Sequence, residues 1–235
     1  MEINSHKVSA QASPKGTKSQ SHLNPLYLFV LFFIIIFVVN GCAKKEIKNI
    51  DSQGKNIICF GDSITFGYGV NPGEDYPTVL SKMFGTPVIN KGVDGDTSDE
   101  ALKRFKTDVL ENDPLFVIIE FCGNDFLKKI PQATTVNNIR QMVGLAQAKG
   151  AMVAIADISA GLFLANYRTA FNTLSKETDS IFIPSLLGGI ITNPSMKSDF
   201  LHPNASGYKI VAQRIYRAII PYLNKNAINK RFGRK

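Results

Sequence analysis

Cysteine and histidine are both scarce in this chain of 235 residues. The three cysteines, Cys42, Cys59 and Cys122, form no CxxC pair and have no metal-ligand spacing, which argues against a cysteine-built metal site. Cys59 and Cys122 fall at the ends of expected strands and read as small buried thiols. Of the three histidines, His6 and His22 lie in a polar leader, so His202 is the one imidazole left to the folded domain. No P-loop is present, Gly67-Tyr68-Gly69 does not complete a dinucleotide fingerprint, and no nucleic-acid motif or internal repeat occurs. The acidic set Asp94, Asp96, Asp99 and Glu100 lacks the spacing and terminal glutamate of a calcium loop and fits a capped helix start. The expectation is a protein with no cofactor, no metal and no nucleic-acid partner, working as a monomer.

A long apolar run is missing too. The longest, Leu26 to Val39, falls short of the roughly 20 residues that span a bilayer as a helix and suits a signal-peptide h-region. Residues 1–41 are therefore read as a disordered leader plus signal, residues 42–55 as a charged tether, 56–223 as one domain and 224–235 as a basic tail. VVNGCAKK around Cys42 resembles a bacterial lipoprotein signal, in which the chain is cut before the cysteine and the thiol is lipidated. That resemblance implies a membrane-tethered protein of the cell envelope, facing the periplasm. An uncleaved anchor, or a start codon assigned too far upstream, stays open as an alternative. The formal charge is +8, and an excess of six remains once Glu2, Lys7, Lys15 and Lys18 are set aside. Part of it sits in the acid-free tail Lys225, Lys230, Arg231, Arg234 and Lys235, which reads as a frayed, solvated terminus.

What is present is an alternation of short apolar runs and amphipathic stretches. Strands are expected at 57–60, 87–90, 115–121, 151–156 and 181–183. Helices are expected over 76–84, after the capping pair Thr97 and Glu100, over 134–149 up to Gly150, over 165–178 and over 205–223. This order predicts an α/β fold of three layers, α/β/α, around a flavodoxin-like parallel five-stranded sheet of order 2-1-3-4-5.

The chemistry gathers around IICFGDSITFG. Ser63 would sit just past the C-terminal end of the first strand, where open α/β sheets hold their ligands. With strand order 2-1-3-4-5, the loops carrying Ser63 and Asn124 flank the switch point, and the Gly95 N–H, the Asn124 amide and the Ser63 N–H can face one oxyanion. His202 has Asp199 three residues before it, a spacing that lets the carboxylate orient the ring and leaves the other nitrogen to take the serine proton. Plainer readings stand beside these: Ser63 as a helix cap, Gly123-Asn124 as a turn, His202-Pro203-Asn204 as a helix entry, and Asp62 as a turn residue.

GDSITFGYG at Gly61, Gly95-Asp96-Thr97, Gly123-Asn124-Asp125 and the DxxHPN block at Asp199 resemble the four blocks of the SGNH, or GDSL, hydrolases, nearest to the thioesterase I, lysophospholipase L1 and arylesterase branch. The resemblance spans about 56–223 and implies a serine esterase for acyl esters or thioesters. In it Ser63 is the nucleophile, Asp199 and His202 complete a triad, and Ser63, Gly95 and Asn124 form the oxyanion hole. Cys122 stands where relatives often have glycine. AGLFLANY resembles the place where the thioesterase branch lines its acyl groove, which implies substrate contacts from Leu162, Phe163, Leu164 and Tyr167 and favours a lipid acyl ester. Deacetylation of an envelope polysaccharide, or a tethered non-catalytic binding module, remains as an alternative.

Overall fold

In the computed structural model, residues 46–233 are described, apart from Phe163. The leader, the apolar block and Cys42 lie outside them. Five strands follow the expected apolar runs: β1 (Asn56–Gly61), β2 (Val88–Gly92), β3 (Pro114–Glu120), β4 (Met152–Ala156) and β5 (Ile181–Ile183). All pairings are parallel and the order is β2-β1-β3-β4-β5. The three central strands are almost wholly buried. Near-continuous apolar runs such as FVII are what a parallel sheet covered on both faces requires.

Among the described residues, seven α-helices connect and cover the sheet: α1 (Ser63–Phe66), α2 (Tyr76–Phe84), α3 (Ser98–Asp108), α4 (Gly123–Leu127), α5 (Gln132–Ala148), α6 (Ala165–Glu177) and α7 (Ala205–Phe232). Their starts are set locally. Asp75 caps α2 through Thr78 N–H, Thr97 and Glu100 form the reciprocal capping box of α3, and Asn204 accepts from Ser206 and Gly207 N–H at the head of α7. Each such cap is worth about 1 kcal/mol. In the core the Phe60 ring meets Phe105 and Phe121 edge-on, at 5.2 and 5.3 Å between centroids. Burying a side chain of that size stabilises the fold by about 1.5–3 kcal/mol.

Two expectations for the chain ends need correction. The final helix does not stop at residue 223 but continues to Phe232, with Pro221 inside it. A proline and a polar, basic composition argue against helix. Packing overrides them, because Asn226 is buried and its amide donates to the carbonyls of Ile50 and Ser52 at 2.9 and 3.0 Å. Nor is the stretch before Asn56 a free tether. Asn49 donates to Gln147 O and Ala151 O, Lys48 N–H to Asp179 O, and Ile47 and Ile50 pack on the core. The folded unit therefore begins about ten residues earlier than the apolar pattern alone suggests.

Candidate active site

At the end of β1 the chain turns straight into the four-residue helix α1. Asp62 caps it, its Oδ1 accepting the Ile64 N–H at 3.1 Å, and Ser63 is the first helical residue. The end of β2 presses against this turn: a Cβ on Gly92 would lie 2.0 Å from Phe66 N, so only glycine lets the two backbones approach this closely. Ser63 is 8% exposed, enough for its hydroxyl to reach a cavity while its backbone stays locked.

Residue 202 reaches residue 63 through a second close approach. Gly69 sits against the Ser198 side chain, where a Cβ would lie 2.1 Å from Oγ. Tyr208 O–H donates to Tyr68 O at 3.1 Å, and the Tyr68 ring lies against the His202 ring, tilted by 40° with 4.5 Å between centroids. The result is an unbroken chain of contacts: Ser63 Oγ lies 3.0 Å from His202 Nε2, and His202 Nδ1 lies 2.8 Å from Asp199 Oδ2. The other oxygen of Asp199 accepts the backbone N–H groups of Leu201 and His202, each at 2.8 Å. Partial burial opposes the charge on Asp199, but the hydrogen bonds from Leu201 N–H and from His202 outweigh it and hold the carboxyl below the usual carboxylate range.

Of the groups expected to face an oxyanion, Ser63 and Asn124 line the cavity, and Gly95 does not. Asn124, in the first turn of α4, points its Nδ2 at Asp96 O (3.0 Å) and at Asp62 Oδ2 (3.4 Å). Gly95 takes a positive φ of 76° in the loop after β2, next to Asp94, which lines the cavity. Two braces fix that loop. Arg104 reaches from α3 to the Asp96 carboxylate (2.7 Å), Asp108 (2.8 Å) and Gly61 O (3.1 Å). Buried Asp125 accepts Ser98 N–H (2.9 Å), Ser98 O–H (2.5 Å) and Thr135 O–H (2.8 Å), tying the heads of α3 and α5 to the turn that carries Asn124.

A cavity of about 180 Å³ opens beside these groups, lined by Ser63, His202, Asn124 and Asp94 and walled by Ile64, Leu127, Ile158, Leu187, Ile191 and Leu201. This corrects the expected acyl-contact residues. Leu164 and Tyr167 are buried, at 4% and 2% exposure, while Leu162 stands out at 96%, and none of the three lines the cavity. Phe163 lies outside the described residues. The apolar character of that segment comes from Leu164 and Tyr167 entering the core. The real walls, Leu187 and Ile191, come from the irregular stretch after β5, which carries no periodic signal. Cys122 is buried beside the turn, and burial pushes its thiol up, away from the reactive thiolate.

Two buried carboxyls close to the serine leave no mark in the sequence as a pair. Asp62 and Glu120 are 2% and 0% exposed. Burial drives both above the ordinary carboxylate range, Asp62 to about 7; the charge on Asp62 raises Glu120 further, whereas the interaction with the Glu120 side chain holds Asp62 lower.

The model of the GDSL-like lipase/acylhydrolase family matches residues 59–210, from the buried strand before Ser63 to the helix behind His202. The chain belongs to that family. Among relatives of this GDSL hydrolase, thioesterase 1/protease 1/lysophospholipase L1 of Escherichia coli (strain K12) is 26% identical over 182 residues, covering 73% of this chain and 86% of that one. The uncharacterized lipoprotein YqeF of Bacillus subtilis (strain 168) is 30% identical over 105 residues, covering 41% of this chain and 40% of that one. The crystal structure of TesA superposes with a TM-score of 0.68 at 23% identity, over 72% of this chain and 99% of that one, and supports the α/β fold. As a GDSL hydrolase the chain is an enzyme of the esterase type.

Proposed function

We propose that this enzyme hydrolyses esters or thioesters of apolar acyl groups through a Ser63-His202-Asp199 triad. The observation that carries the reading is the unbroken relay of 3.0 and 2.8 Å from hydroxyl to imidazole to carboxylate, opening onto an apolar cavity. Ser63 Oγ attacks the acyl carbonyl while its proton passes to His202 Nε2. The imidazolium, steadied by Asp199, gives that proton to the leaving alcohol or thiol. Water then attacks the acyl-enzyme by the same route in reverse, releasing the acid and restoring Ser63. The Asn124 amide, with the N–H groups of Gly95 and Ser63, meets the charge that develops on the carbonyl oxygen; each such donor is typically worth about 10²–10³ in kcat.

The walls of Leu187, Ile191 and Ile158 favour an acyl chain longer than acetyl. Each buried methylene is worth about 0.8 kcal/mol. p-Nitrophenyl octanoate should therefore exceed the acetate by at least about 10-fold in kcat/KM; a preference for acetate would point instead to polysaccharide deacetylation. All these groups come from one chain, so a monomer suffices. Lipidation at Cys42 and attachment to the cell envelope are supported by the VVNGCAKK signal and by the relative named as a lipoprotein. Metabolic labelling with an alkyne fatty acid, lost in Cys42→Ser, tests that attachment. For the reaction itself, Ser63→Ala should abolish turnover and labelling by a fluorophosphonate probe with the fold intact, and undiminished activity would overturn the assignment.

A further inference from the structure

Asp62 adjoins the nucleophile in the chain and Glu120 meets Thr65, two residues beyond it, yet the reaction just described uses neither carboxyl. Asp62 Oδ1 accepts the Ile64 N–H at the start of α1, and Oδ2 faces the Asn124 amide at 3.4 Å. Glu120 Oε2 accepts the Thr65 hydroxyl at 2.9 Å, and that hydroxyl also meets Tyr76 O–H at 2.9 Å. Glu120 Oε1 is fully buried and has no hydrogen-bond donor. An ionised glutamate would leave that oxygen's charge uncompensated in the core. Glu120 lies opposite Gly61 across β3 and β1, one residue from Asp62, and the two carboxyls interact there. A proton on Oε1 turns the orphaned acceptor into a donor and resolves both difficulties at once.

We propose, building on the esterase reading above, that Asp62 and Glu120 share one proton, held on Glu120 and donated to the Asp62 carboxylate, and that Asp62 so held is the positioning residue for Asn124. Glu120 keeps the proton because of what each carboxyl receives. Asp62 accepts a backbone N–H and an amide, which favour its charged form, while Glu120 is fully buried and its Oε1 finds no donor. The surroundings discourage a second negative charge. Asp96 in the loop after β2 and Asp125 on α4 both disfavour it at Asp62. Glu120 is faced by Cys59 on β1, Tyr76 on α2, Cys122 after β3 and Tyr208 on α7, all of which burial keeps protonated. The nearest guanidinium, Arg104, is spent on Asp96, Asp108 and Gly61 O.

The function follows from the two N–H groups of Asn124. One is committed to Asp96 O at 3.0 Å. The other leans on Asp62 at 3.4 Å, longer than the usual 2.9–3.0 Å, so it is oriented without being captured and swings to an oxyanion when one forms. Protonating Asp62 removes this guide. Two protons then silence the enzyme on the acid side, one on His202 and one on the carboxyl pair.

The test is the acid limb of the pH profile. For the full-length wild type on p-nitrophenyl octanoate, log kcat/KM should fall with a slope approaching two. In Glu120→Gln, whose neutral amide reproduces the protonated glutamate and donates to Asp62, Asp62 still takes up its own proton. The slope should stay near two, with kcat within about 3-fold of wild type. In Asp62→Asn the slope should become one, and kcat should fall about 10-fold with KM nearly unchanged. A wild-type slope of one, a slope of two persisting in Asp62→Asn, or a Glu120→Gln variant that has lost its activity although folded overturns the proposal. The wild-type slope needs no variant, so a misfolded Asp62→Asn leaves the question decided. Fluorophosphonate labelling, followed over the same pH range, separates the two claims: a protein neither labelled nor active fails the esterase reading, whereas an active one with unit slope fails the carboxyl pair alone.

Discussion

The serine side and the histidine side of this site are built in opposite ways. Ser63 and Asn124 are set by the core, through strand ends, a glycine contact and buried carboxyls whose partners lie 10 to 62 residues away. Asp199 and His202 sit on a short loop that organises itself, with three hydrogen bonds from residues 201 and 202 converging on one carboxylate that is 43% exposed. The backbone turns that carry the nucleophile and Asn124 therefore hold fixed positions, and the base is brought to them by a loop leaning on Tyr68. Substitutions on the core side should cost stability as well as rate, whereas those on the loop should cost rate alone.

His202→Ala is the sharpest case on the loop side. It should lower kcat by at least about 10⁴, and thermal unfolding should show a Tm within about 2 °C of wild type. A large fall in Tm would erase the contrast. Asn124→Ala should lower kcat by about 10²–10³ with KM little changed, read from steady-state kinetics on an octanoyl ester. Asp125→Ala touches no substrate, yet it leaves Ser98 and Thr135 without their acceptor and should cost about 2–3 kcal/mol in urea unfolding. Asp199→Asn tests the loop's electrostatics. Removing a negative partner disfavours the imidazolium, so the acid limb of kcat/KM should move to lower pH while the maximal rate falls. Smallest is Tyr68→Ala, which loosens the seat of the imidazole and should lower kcat/KM about 3- to 10-fold without altering Tm measurably.

The same division explains what could be read without coordinates. The histidine side was legible because its logic is local: one imidazole in the domain, and a carboxylate three residues before it. The strand order and the place of Ser63 were legible because apolar runs closed by glycine mark strand ends. Glu120 stayed hidden because a single acid at the end of LFVIIEF looks like the place where a strand meets water, and only the fold shows that it is sealed beneath Asp62. Leu187 and Ile191 escaped because they lie in an irregular segment, where no period separates a cavity wall from core. The tail from Leu223 was misjudged for a related reason: polar composition describes solvent preference and says nothing of a side-chain amide capping two distant carbonyls.

That last contact has a topological consequence. Asn226 joins the first and last described segments across more than 170 positions of sequence, so the domain closes like a ring with a clasp. A circular permutant in which residue 232 is spliced by a short flexible bridge to residue 46, with new ends opened at the exposed turn around Gly85 and Thr86, should refold to the same sheet and retain its esterase activity.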